Sequence, residues 1–180
     1  MLEITVPEQE LFNEATNEFI IIRSQVLKLE HSLVSISKWE SKWKIPFLDK
    51  GKKTREQTID YIRCMTITQN VNPMVYMGIT NENIKAISDY IDDPMTATWF
   101  NEQQKRPGRQ EIVTSELIYY WMIALNIPME CQRWHLNRLL TLVRICNIKN
   151  QKPKKMSKNE IYSRNRALNA ARRQKFNSKG

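Results

Sequence analysis

A chain of 180 residues with 41% hydrophobic content is long enough for one compact core, and 4 glycines against 26% charged residues exclude a turn-rich all-β sandwich or barrel. The longest apolar run, residues 117–125, falls well short of the roughly 20 residues a membrane-crossing helix needs. The net charge of +9 is unevenly spread: residues 1–100 hold 11 Lys+Arg and 14 Asp+Glu, residues 101–148 hold 6 and 4, and residues 149–180 hold 11 and 1. The sequence therefore reads as a nearly neutral domain, 1–148, followed by a basic linker and C-terminal helix, 149–180.

Three widely spaced cysteines, Cys64, Cys131 and Cys146, fit reduced thiols in a cytoplasm rather than a disulfide framework. The start MLEITVPEQE has neither a cationic stretch nor an apolar core, so it does not read as a secretory signal.

Along the chain, Leu2, Ile4 and Val6 alternate with polar residues, the period of a half-buried strand. The β-branched run at 19–22 is expected to pair with it across a loop that includes 13–17, giving a small N-terminal hairpin. Leu29, Leu33, Ile36 and Trp43 then follow helical steps, with Val34 and Ile36 leaving a strand open as far as about Ser37. A charged turn at 49–53 precedes a helix over 55–68, with Ile59, Ile62, Cys64 and Met65 on its apolar face. Thr80 offers an N-cap and Glu82 a first-turn acid for a helix that runs to Asp92, Asp93 and Pro94. Residues 101–110 read as a polar loop.

Thr114 caps the next helix, whose Leu117, Tyr120, Trp121, Ala124 and Leu125 form one stripe that Ile118, Met122 and Ile123 widen. Apolar on nearly every side, it reads as buried. Asn126 suits a left-handed terminator and Pro128 the first turn of a second helix with Leu136, Leu139, Leu140 and Val143 inward. The two are expected to pack as an αα unit at the centre of the core. Last, SKNE at 157–160 has capping-box spacing before a basic, marginal helix over 159–175. The fold class is mainly α: a compact helical domain with a small N-terminal β-hairpin and a basic C-terminal helix.

Candidate sites are few. Cys131 and His135, four apart, can share a helix face as Zn²⁺ ligands or as nucleophile and base, but Cys146 lies about 16 Å further along a straight helix, so His31 or Cys64 would have to arrive from elsewhere to complete a metal site, and nothing marks an orienting third group. A buried thiol and a satisfied core histidine are the plainer account. The carboxylates Glu82, Asp89, Asp92 and Asp93 read as a solvated face and a helix end rather than a Mg²⁺ site. Trp39, Trp43, Trp99, Phe100, Tyr119, Tyr120 and Trp121 read as core or interface anchors before base-stacking platforms. No enzyme activity, metal or cofactor is expected. The second helix's polar edge, Arg133, Asn137, Thr141 and Arg144, is the candidate partner surface. In the tail, Lys154, Lys155, Arg164, Arg166, Arg172, Arg173 and Lys175 suit phosphates or an acidic protein surface about equally.

Several strings resemble a family of tailed-bacteriophage and prophage proteins: SISKWESKW at 35–43, CMTITQN at 64–70 and DDPMTATWF at 92–100. YYWMIALNIP at 119–128, WHLNRLLTLVRICNIKN at 134–150 and SRNRALNAARR at 163–173 are similar to the same family. The resemblance points to the tail assembly chaperones of long, non-contractile-tailed phages. It implies a non-enzymatic protein of the infected host's cytoplasm that holds the tape measure protein and brings tail tube subunits to it. A homo-oligomer stays open. The alternatives are a minor virion protein of head, neck or tail, and a nucleic-acid-binding accessory acting through residues 149–180. No family motif assigns individual binding residues.

Overall fold

The computed structural model describes residues 1–13, 17–49, 51–100, 112–151 and 157–177. By its contacts the chain divides into Met1–Ile148 and Lys149–Gly180. The first unit opens with four strands, β1 (Leu2–Val6), β2 (Gln9–Asn13), β3 (Glu18–Ile22) and β4 (Gln25–Leu29). β1 pairs antiparallel with β4, from Leu2 opposite Leu29 to Val6 opposite Gln25, and β2 pairs with β3 in the continuation of that register, from Gln9 opposite Ile22 to Asn13 opposite Glu18. The two ladders form one long hairpin interrupted at residues 7–8 and 23–24, where Pro7 has no N–H to give the ladder.

The expected hairpin is present, but its pairing is corrected: residues 2–6 do not face 19–22. Each finds a partner that matches one continuous register, and the strand at 9–13 went unseen because Gln9 and Glu10 followed by Leu11 and Phe12 show no alternation. Ile4, Val6, Leu27 and Leu29 form the buried face of the inner ladder, while Glu3 and Lys28 face each other outside at 3.1 Å.

Helix α1 (Leu33–Trp43) starts at Ser32, whose hydroxyl accepts from Ser35 N–H while Ser35 returns the favour. Leu29 belongs to β4 rather than to this helix, so the helical reading holds only from Leu33. Lys44 ends α1 in the left-handed region at φ 57°. Leu33, Ile36 and Trp39 are fully buried along its inner side. Helix α2 (Arg55–Met65) is capped by a Thr54–Gln57 box and buries Tyr61, Ile62 and Met65. It stops short of the expected Thr68 because residues 66–68 run beside β4, with Glu30 N–H donating to Met65 O at 2.9 Å and Ile67 N–H to Lys28 O at 2.9 Å. A 3-10 turn, Pro73–Gly78, follows with its Asn72 cap. Gly78 is the contact point for the hairpin's bend: Gln9 donates to its carbonyl, and a Cβ there would meet Gln9 Nε2 at 2.5 Å and Val6 Cγ1 at 3.1 Å.

Helix α3 (Asn81–Asp92) takes the expected Thr80 cap and packs on β1, Asn83 Nδ2 donating to Thr5 O at 3.1 Å. Helix α4 (Ser115–Ala124) takes the expected Thr114 cap, and Asn126 the expected left-handed conformation at φ 52°. Two expectations fail here. First, α4 is not buried all round: its inward seam is Ser115, Ile118 and Met122, while Tyr120 is 64% and Ile123 66% exposed. An apolar residue on every side gives no clue to which side is covered. Second, Pro128 opens only a short 3-10 turn, Met129–Arg133. Trp134 and His135 then run extended, His135 bridging Ser32 and Leu136 N–H donating to His31 O at 2.8 Å, before α5 (Leu136–Asn150) begins.

α5 buries Leu136, Leu139 and Val143, with Leu140 half-buried. The centre of the core is α1, which packs against α2, α4 and the turn at Met129–Arg133, rather than an α4–α5 pair. The mainly α class holds. In the second unit, α6 (Lys158–Phe176) is a 19-residue helix on which every described side chain is exposed. The polar loop expected at 101–110 lies outside the described residues. Among the described residues no helix is long and apolar enough to cross a membrane.

Candidate functional site

The densest set of polar side chains lies inside the first unit, where β4 meets α1 and α5 begins. His31 Nδ1 sits 2.5 Å from the Tyr61 hydroxyl, which is 3.4 Å from Ser35 Oγ, and Ser35 in turn donates to Ser32 O at 2.7 Å. The His31 and His135 rings, the only two imidazoles in the chain, meet edge to face at 5.0 Å. His135 Nδ1 accepts from Asn137 N–H at 3.3 Å and its Nε2 donates to Tyr90 O at 2.9 Å, which fixes a neutral ring. Tyr90 donates to Glu30 at 2.5 Å, and the other Glu30 oxygen meets the N-terminal ammonium at 3.1 Å.

Burial, then the neighbouring His135, lowers the His31 pKa to about 3; burial also lowers that of His135. Burial pushes the Tyr61 hydroxyl well above its usual range, and burial together with Glu30 does the same to Tyr90. A ring 2% exposed and neutral down to about pH 3 has no path for exchanging protons with a substrate. The cluster ties the first turn of α1 to α2, α3 and α5.

The sequence candidates disperse. Cys131 is buried in the 3-10 turn with its thiol pushed up by burial, and His135 is committed to Tyr90 and Asn137. Among the described residues no three of His, Cys, Asp and Glu gather around a common point for a metal. Glu82, Asp89 and Asp92 are exposed on α3, and Asp93 accepts from Met95 N–H at 2.7 Å. Trp39 is wholly buried among Trp43, Phe47 and Tyr61, whereas Trp99 stands 82% exposed.

The proposed edge of the second helix is divided. Arg133 is exposed on the 3-10 turn rather than on α5, and the Arg144 guanidinium lies 3.9 Å from the Phe100 ring centre. Thr141 donates back to Asn137 O at 2.9 Å. Asn137 Nδ2 donates to Ile91 O at 2.9 Å and to Asp93 O at 2.8 Å, closing the C-terminal end of α3. Asn137→Ala is therefore expected to cost about 1–2 kcal/mol of stability, read as a lowered urea midpoint, with partner binding affected only through that loss.

Two surfaces stand out instead. The outer ladder presents Phe12 opposite Phe19, ring centres 5.1 Å apart, with 50% and 70% of each residue exposed, and Ile21 beside them. Arg164, Arg166, Arg172, Arg173 and Lys175 are all exposed on α6; Lys154 and Lys155 lie outside the described residues. The Phe12–Phe19 pair escaped sequence reading because Phe12 fell in what looked like loop. The chain matches no model of a known protein family, no curated protein and no solved structure.

Proposed function

We propose that this chain is a phage tail morphogenesis protein: a non-enzymatic tail assembly chaperone that binds the tape measure and tail tube proteins in the host cytoplasm. The observation that carries this reading is the exposed apolar strip of Phe12, Phe19 and Ile21 on a two-stranded ladder. Each strand of such a ladder has an unpaired side, and strand edges accept an extended segment of another protein while the strip covers its apolar side chains. The interior polar cluster supports binding rather than chemistry, since its groups are spent on one another. The sequence resemblance given above adds the phage context.

Co-expression of the tagged chain with the tape measure and tail tube proteins of the same phage is expected to retain at least one of them. Phe12→Ser together with Phe19→Ser is expected to weaken that retention about tenfold or more, as for loss of central aromatic anchors. Retention of neither client, together with presence of the chain in purified particles, would assign it to the virion and overturn the proposal.

A further inference from the structure

The second unit carries the chain's charge without a core to serve. Residues 149–180 hold 11 Lys+Arg and one acidic residue, and Ile161, Tyr162, Leu168 and Phe176, the large hydrophobics of α6, are 44–73% exposed. A helix of this kind is marginal alone and gains its stability from what it binds.

How the side chains are arranged around α6 says what that is. At 100° per residue, Tyr162, Asn165, Asn169, Arg173 and Phe176 follow one another at steps of three and four and share one face. Ser163, Ala167, Ala170 and Gln174 share the opposite one, which holds no cation and where the spacing also puts the helix's one acidic residue, Glu160. Cations flank the first face on both sides, Arg172 with Lys175 and Arg164 further round on one and Arg173 with Arg166 on the other, and Lys158 lies in line with Phe176 at its middle.

An acidic protein surface would meet cations on a single side, around an apolar anchor. Here the only aliphatic pair, Ile161 and Leu168, lies on one rim between Arg172 and Lys175, Arg166 and Arg173 stand across the face from it, and the middle of that face is amide and aromatic apart from Lys158. Two cationic rims around a hydrogen-bonding strip match a groove with a phosphate wall on each side. A helix about 10–12 Å across fits the roughly 12 Å major groove of B-form DNA.

We propose that α6 binds double-stranded DNA in the major groove, Arg166, Arg172, Arg173 and Lys175 reaching phosphates and Asn165 and Asn169 facing base edges. Binding is largely independent of sequence, since phosphate contacts supply most of it. DNA binding by α6 holds whether or not the chain acts in tail building.

The test is fluorescence anisotropy of the full chain with a short labelled DNA duplex. The apparent affinity is expected to fall with salt at a logarithmic slope of about −4, for roughly four neutralised phosphates. Arg166→Ala with Arg173→Ala is expected to weaken binding about tenfold or more and to shallow that slope by about two. Ser163→Ala with Gln174→Ala, on the opposite face, is expected to leave binding unchanged. All five tryptophans lie within Met1–Ile148, so unchanged tryptophan fluorescence shows that no variant has disturbed the first unit. Helical circular dichroism is expected to rise on adding DNA. Equal loss from both pairs of variants, no loss from either, equal affinity for single-stranded DNA or duplex RNA, or tighter binding to polyglutamate than to duplex would each overturn the proposal.

Discussion

Glu40→Ala is expected to cost on the order of 4 kcal/mol of folding stability, more than removal of any surface charge in the chain. Glu40 is 7% exposed, on the inner side of α1. Its Oε1 accepts from Phe47 N–H at 2.7 Å and its Oε2 from Ser115 N–H at 2.8 Å. One carboxylate thereby holds the loop after α1 and the first residue of α4 to the central helix. Hydrogen bonds to a charged acceptor contribute about 1.5–3 kcal/mol each, and deletion leaves two buried backbone N–H groups without their acceptor. Glu40→Gln keeps the volume and one acceptor, so roughly half the loss is expected. Urea denaturation followed by tryptophan fluorescence reads both. A loss under about 1 kcal/mol for Glu40→Ala would mean that the two N–H groups find other partners.

That carboxylate also shows how far the sequence could be read. Leu33, Ile36 and Trp43 mark a helical stripe, and Glu40 occupies its vacant position, so an acid on an apolar face was visible; what it bonds to was not, because Phe47 and Ser115 come from a loop and a distant helix start. Features settled within a few residues were legible: the caps Thr80 and Thr114, the left-handed Asn126, the buried side of α5. Features settled by distant partners were not. The register that joins β2 to β3 depends on both strands at once, and the break at Trp134–His135 exists because His31 and Ser32 pair with it. The inward side of α4 depends on α1, since Ile118 and Ile123 are equally apolar and only the first is covered. For the candidate surfaces, the charge of α6 was legible from composition and its two faces from helical spacing. Phe12 and Phe19 became a surface only when the ladder set them opposite each other.

The second large effect is acid lability. His31 is neutral in the folded chain down to about pH 3, whereas a solvated imidazole takes up its proton near 6.5. Between those values the unfolded chain binds a proton that the folded chain refuses, so stability rises with pH across the window. It is intact above about pH 6.5 and falls as the pH drops towards 3; at pH 4 the cost from His31 alone is about 3 kcal/mol. His135, also lowered, adds in the same direction, and two imidazolium rings at 5.0 Å would repel each other. Around the pair, Tyr61 and Ser35 are neutral on the α2 and α1 sides, while Glu30 and Asp93 favour a charged His135 without outweighing its burial. His31→Asn keeps an acceptor near the Tyr61 hydroxyl and removes the titrating ring. Its packing loss is the same at every pH, so its stability relative to the parent chain is expected to improve by about 3 kcal/mol between pH 7 and pH 4. Paired urea titrations at the two pH values read that difference directly. A difference that does not change with pH would show that the ring accepts its proton in the folded state, and hence that the cluster opens to water without unfolding.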